Sequence, residues 1–150
     1  MTRAEVVGAV GEAKGRVLEE TPQTLRAAGR DTRVEEEVFL FYDGRLAAWT
    51  QRLAQPSTRA AFERTRGRYT RHFGEPIESH DDGPVQMARW RYAGEKGRVL
   101  LSAYAGDHSG RARLMVRVED PSVLRSLVRQ MGRDEARRAS AGDAPDSARR

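Results

Sequence analysis

The stretch Phe39-Leu40-Phe41-Tyr42-Asp43-Gly44-Arg45-Leu46-Ala47-Ala48-Trp49 decides how the chain folds. Two apolar, β-prone runs flank one Asp-Gly pair. The tightest hairpin turns need positive φ at both central positions, and Asp and Gly accept this more readily than most residues. The stretch therefore predicts strands over 38–42 and 45–51 joined by a two-residue turn. Asp43 is a turn residue in this reading, not a catalytic carboxylate.

Toward the N-terminus, Thr2-Arg3-Ala4-Glu5 has the spacing of a capping box. Val6, Val7 and Val10 follow on one face, which predicts a short helix over 3–10 stopped by Gly11. Thr21-Pro22 predicts a second short helix, with Leu25 and Ala28 on one side and Gly29 at its end.

Toward the C-terminus, Ser57 or Thr58 can cap a longer helix over 58–72. Phe62, Thr65, Tyr69 and Phe73 recur at helical spacing on one face, with Arg64, Arg68 and Arg71 on another. Gly74 and Pro76 stop it. Three strands are predicted next, over 85–92, 98–105 and 111–119. In the last, Ala112, Leu114, Val116 and Val118 alternate with Arg113, Met115, Arg117 and Glu119. Asp120-Pro121 opens a final helix with an apolar stripe of Val123 or Leu124, Leu127, Val128 and Met131. Beyond Gly132 no large apolar residue remains, which predicts a disordered tail.

Helix then hairpin, twice, predicts an α+β fold: an antiparallel sheet with helices packed on one face, in two tandem helix-hairpin units, plus a C-terminal helix. The units divide as 1–55 and 56–131, with a tail over 132–150. Val10-Gly11-Glu12-Ala13 and Phe73-Gly74-Glu75-Pro76 both end a helix, and each half carries one Trp, Trp49 and Trp90, which suggests an internal repeat.

The 150 residues are 38% apolar and 33% charged, the composition of a globular domain with excess surface charge. No apolar run approaches the roughly 20 residues of a membrane span. Cysteine is absent, which excludes disulfides and thiolate chemistry. No signal peptide is visible, so the chain as it stands reads as cytoplasmic; removal of an N-terminal signal would make it periplasmic. The net charge of +5 is uneven: residues 1–55 carry 8 basic and 9 acidic side chains, whereas residues 56–120 carry 12 and 9. That asymmetry suggests an acidic partner. Arginine supplies 25 of the 27 basic residues, which equally fits a GC-rich bacterial genome.

Met1–Gly15 (MTRAEVVGAVGEAKG) followed by Val38–Trp49 (VFLFYDGRLAAW) resembles the SmpA/OmlA (BamE-type) outer-membrane lipoprotein superfamily, whose domains open with such a helix and later show an aromatic-x-Asp-Gly hairpin. The related β-lactamase-inhibitor-protein fold joins two helix-helix-sheet units in tandem. The resemblance implies a non-enzymatic module that binds proteins with its sheet face and loops.

No phosphate-binding glycine loop and no nucleophile elbow occur. The loops Ser79–Gly83 and Gly106–Gly110 would lie at one end of a meander and bring together His80, Asp81, Asp82, Asp107 and His108. Such a set suits Zn²⁺, but Asp, His, Ser and Gly also collect in turns for conformational reasons. No metal or other cofactor is expected, and the chain reads as non-catalytic. If Trp90 and Tyr92 face the core, Arg89, Arg91, Arg98, Tyr104, Arg113, Met115 and Arg117 share the opposite face of the sheet. Arginine with Tyr and Met is interface composition. The sequence therefore predicts a protein-binding or scaffold module that offers this face to an acidic protein surface, with no small-molecule ligand. The alternative is a nucleic-acid-binding module using the same face with Arg64, Arg68 and Arg71.

Overall fold

Thr2 and Glu5 close the capping box as the spacing predicts: the Thr2 N–H donates to Glu5 Oε2 at 2.6 Å, and the Glu5 N–H donates to Thr2 Oγ1 at 3.4 Å. This starts α1 (Arg3–Glu12). The computed structural model describes residues 1–29, 31–81, 85–94, 97–105 and 113–142, with 92–94, 97–105, 131, 135 and 138–142 described by backbone alone. After α1 come β1 (Arg16–Glu20), β2 (Thr24–Ala28), β3 (Val34–Tyr42) and β4 (Arg45–Pro56). Then follow α2 (Arg59–Phe73), β5 (Glu78–His80), β6 (Gln86–Gly94), β7 (Gly97–Ala105), β8 (Arg113–Glu119) and α3 (Pro121–Gly142).

All eight strands form one antiparallel sheet in the order β1-β2-β3-β4-β8-β7-β6-β5, so the fold is α+β. Each half is one helix followed by a four-strand meander. The halves meet where β4 pairs with β8, through Trp49↔Val118 and Gln51↔Val116. At the turn between β3 and β4, Asp43 and Gly44 take φ of 49° and 69°, the two left-handed positions the hairpin needs.

Cross-strand partners point to the same face. Val6 and Val10 of α1 pack on Leu25, Ala27, Phe39 and Phe41, with Trp49 beside them. Phe62 of α2 packs on Val34, Leu53, Ala88, Trp90, Leu114 and Val116, with Val118 beside them. Trp49 and Val118 are cross-strand partners, so α1 and α2 cover one face of the same sheet. α3 leaves the end of β8 and contacts β3, β4 and β7. Asp120 caps it, its Oδ1 accepting from the N–H of Ser122 and of Val123. Burial pushes the Asp120 carboxyl up, but these bonds and the charge of Arg45 outweigh it and hold it below its usual value. Val123 is buried, whereas Val128, expected in the same stripe, is 66% exposed.

The structure corrects several boundaries. Residues 24–28 are strand β2, not a second helix. Leu25 and Ala27 are buried while Thr24, Arg26 and Ala28 are half-exposed, a period of two. A five-residue helix cannot nucleate alone, whereas β2 gains ladders on both sides. The second half holds four strands rather than three, because Glu78–His80 pairs with β6. The predicted tail at 132 is helical as far as Gly142, with Gln130 donating to Asp134 Oδ1 at 3.0 Å. Gly11 lies inside α1; the helix ends with Lys14 at φ 56° and the Gly15 N–H donating to the Val10 carbonyl. Gly74 does end α2, at φ 82°. The two tryptophans are not equivalent, for Trp49 lies on the fourth strand of its half and Trp90 on the second.

Gly67 sits in the interior of α2 without a positive φ. A Cβ there would meet only Arg71 Nη1, at 3.8 Å, an ordinary contact. Gly67→Ala is expected to raise stability by about 0.5–1 kcal/mol, because glycine costs roughly that much inside a helix. Urea denaturation of the two proteins checks it.

Candidate functional site

The face of the sheet opposite α1 and α2 is built by alternation. Ala88, Trp90, Leu114 and Val116 are buried, which leaves Arg89, Arg91, Arg113, Met115 and Arg117 on the other side. The register extends this face through Arg52↔Met115, Thr50↔Arg117 and Glu36↔Arg52 to Arg26↔Val38 on β2. Tyr104 pairs in register with Met87 and Met115 on β6 and β8, and Arg98 pairs with Ala93. The side chains of Arg98 and Tyr104 lie outside the described residues.

A chain of ion pairs crosses this face from edge to centre. Arg26 joins Glu19 at 2.8 Å and Glu36 at 2.5 Å. Arg52 joins Glu36 at 3.2 Å and Glu35 at 3.3 Å, and Glu35 takes Arg113 at 2.8 Å. Glu36 is the most enclosed member, with its side chain 10% exposed. Its two arginines are 42% and 50% exposed, so solvent screens most of each Coulomb term. The guanidinium of Arg26 is held more firmly protonated by Glu19 first, then Glu36.

The far end repeats the device with fewer acids. Arg89 joins Glu78 at 2.9 Å and Arg117 joins Glu119 at 2.5 Å. His80, then Arg89, hold the Glu78 carboxyl below its usual range. Arg91 is exposed and has no ion pair among the described residues, and Met115 is 41% exposed. Both ends of the face therefore carry more arginine than glutamate. Among the described residues the β1–β4 end carries Arg16, Arg26, Arg45 and Arg52 against Glu19, Glu35 and Glu36. The β5–β8 end carries Arg89, Arg91, Arg113 and Arg117 against Glu78 and Glu119. The sequence reading named the arginines of the second half of this face but not the glutamates that pair with them. The missed signal was the Glu35-Glu36-Glu37 run, left outside the strand predicted over 38–42. It belongs to β3, where alternation sends Glu36 toward the arginines.

Glu37 faces the helix side and is 3% exposed, with Trp49 Nε1 donating to it at 3.1 Å and Gln51 Nε2 at 3.2 Å. Near it a groove of about 520 Å³ opens between α2 and the β2–β3 loop, lined in part by Asp31, Arg33, Gln51, Arg68 and Tyr69. Sequence reasoning did not find this groove, because its walls come from three separate segments.

Of the suggested metal cluster, His80 and Asp81 are described. His80 is paired with Glu78 at 3.0 Å, and Asp81 with Arg59 at 3.1 Å and Gln86 at 2.8 Å. Asp82, Asp107 and His108 lie outside the described residues. Among the described residues no group of three or more His, Asp or Glu is placed to hold an ion. No described helix is long and apolar enough to cross a membrane.

Comparison with known protein families, curated proteins and solved structures returns no match. The functional reading rests on the geometry and the sequence.

Proposed function

We propose that the protein is a non-catalytic protein-binding or scaffold module, and that its docking surface is the basic, β5–β8 end of the sheet face opposite α1 and α2. The observation that carries this reading is that Arg113 and Arg117 flank exposed Met115 on β8, while Arg89 and Arg91 extend the same face on β6, two strands away. Arg89, Arg113 and Arg117 are already oriented by glutamates, so docking costs little side-chain entropy. Arg91, without an ion pair among the described residues, offers its guanidinium to a partner carboxylate, and Met115 adapts to an apolar neighbour. An acidic protein surface complements the excess of arginine at this end.

The test is capture from nuclease-treated native lysate with wild type and with Arg91→Glu/Met115→Glu. Both positions are exposed, so the fold should persist. A protein held by wild type and lost by the double variant supports the reading. If the double variant keeps every partner of the wild type, the sheet face is only a wetted surface.

A further inference from the structure

We infer that the outer face of α2 binds single-stranded nucleic acid, with backbone phosphates held by Arg64, Arg68 and Arg71 and a base received beside Tyr69. This surface is separate from the sheet face, and the inference does not depend on the proposal made for that face.

The first ground is a contrast in charge pairing. On the sheet face Arg26, Arg52, Arg89, Arg113 and Arg117 each have a glutamate oxygen within 3.3 Å. On α2, Arg59 pairs with Asp81 and Arg66 with Glu63. Arg64, Arg68 and Arg71 are exposed and have no ion pair among the described residues. The helix holds five arginines and one glutamate, so it cannot neutralise itself. Arg91 on the sheet face is also without an ion pair among the described residues, but here three such arginines share one face of one helix.

The second ground is shape. All three arginines line one shallow depression of about 420 Å³, together with Gln55, Glu63, Thr65 and Gly67. Glu63, the one acid there, is the partner of Arg66 at 3.8 Å. Gly67 leaves the middle of the depression without a side chain, which lets a backbone come close. The arginines are spaced by about 6 and 4.5 Å along the helix axis. Each can therefore take a separate phosphate oxygen rather than all converge on one small anion.

The third ground is the aromatic neighbour. Arg68 stands over the Tyr69 ring, its Cζ 5.2 Å from the centroid. Both residues also line the 520 Å³ groove that continues from the depression toward β3 and β4. The other guanidinium of that groove, Arg33, is committed to Asp31 at 2.7 Å. Arg68 thus joins a phosphate-binding strip to a groove with an aromatic wall, the combination that single strands use. A duplex keeps its bases stacked inside and could use only the strip.

The experiment is fluorescence anisotropy with a labelled oligo(dT) 20-mer across a series of NaCl concentrations, with circular dichroism to show that each variant is folded. Three phosphate contacts on a single strand correspond to a slope of log K against log salt of about −2, or roughly a 20-fold loss between 50 and 200 mM. Arg64→Gln/Arg68→Gln/Arg71→Gln should flatten the slope by about that amount and weaken binding at least tenfold at 100 mM. Arg16→Gln, on the far edge strand, should leave both unchanged. A 20-base-pair duplex should bind more weakly than the single strand. The inference is overturned if wild type shows no binding at 50 mM NaCl, if the triple variant keeps the wild-type slope, or if duplex binds as well as single strand.

Discussion

Val116→Pro is expected to unfold the protein, and Leu18→Pro to leave it folded. The difference follows from where the two strands stand. β8 is central, and Val116 pairs with Gln51 of β4 on one side and Ala103 of β7 on the other. Its side chain is 3% exposed, against the cluster under α2. Proline removes the ladder donor and its ring crowds the neighbouring strand, at a cost of about 3 kcal/mol or more. Repacking a buried valine site adds to that. Domains of this size are stable by only about 5–15 kcal/mol, so most of the folded population is lost. β1 is the outermost strand, and Leu18 lies at the register shift between Val17 and Glu19 with no partner in β2. It is 43% exposed. Proline belongs in edge strands and at bulges, so the cost there should stay below about 1 kcal/mol. Far-UV circular dichroism and urea midpoints decide the matter. A Val116→Pro variant that melts like wild type would mean that β8 is not the central strand.

The parts of the fold that were legible in the sequence are those where a local rule and the tertiary structure agree. Asp43-Gly44 needs two left-handed residues and has them. Thr2 and Glu5 have capping-box spacing and form the box. Phe62, Thr65, Tyr69 and Phe73 repeat at helical spacing, and Phe62 and Thr65 are buried. Leu114 and Val116 alternate cleanly and are buried.

What was not legible depends on partners far along the chain. Thr24–Ala28 is too short to declare a period, and its strand state comes from β1 and β3. Glu78–His80 is a strand because β6 offers an edge, not because its residues favour one. Gly132 looked like a stop, yet a helix tolerates one glycine when helix formers stand on both sides, here Arg129, Gln130 and Met131 before it and Arg133, Glu135 and Ala136 after it. The arginine face could be drawn from alternation alone, but its neutralisation could not. Glu35 reaches Arg113 across 78 positions of sequence. Only the β4–β8 junction brings them together. The α2 stripe was visible as Arg64, Arg68 and Arg71; that its members have no ion pair among the described residues was not.

Trp90→Ala is expected to remove about 3–5 kcal/mol of stability, the usual loss for a buried aromatic truncated to alanine. Trp90 is 1% exposed and meets the Tyr69 ring edge-on at 5.6 Å. Its Nε1 donates to the Gly74 carbonyl at 3.0 Å, the residue that ends α2. Trp90→Phe separates the two contributions. It keeps much of the ring and loses the donor, so it should cost about 1–3 kcal/mol, the range for a buried acceptor left without its partner. Trp49 remains as the only tryptophan in either variant. It stacks on Phe39 in the first half with ring centroids 6.0 Å apart, so its fluorescence reports the other half of the sheet. Because Trp49 pairs directly with Val118 across the junction, damage under α2 should lower the urea midpoint read at Trp49 as much as the midpoint read by circular dichroism. Two separate midpoints would mean that the β4–β8 ladder does not make the halves unfold together, and the sheet would then be two cooperative units in contact.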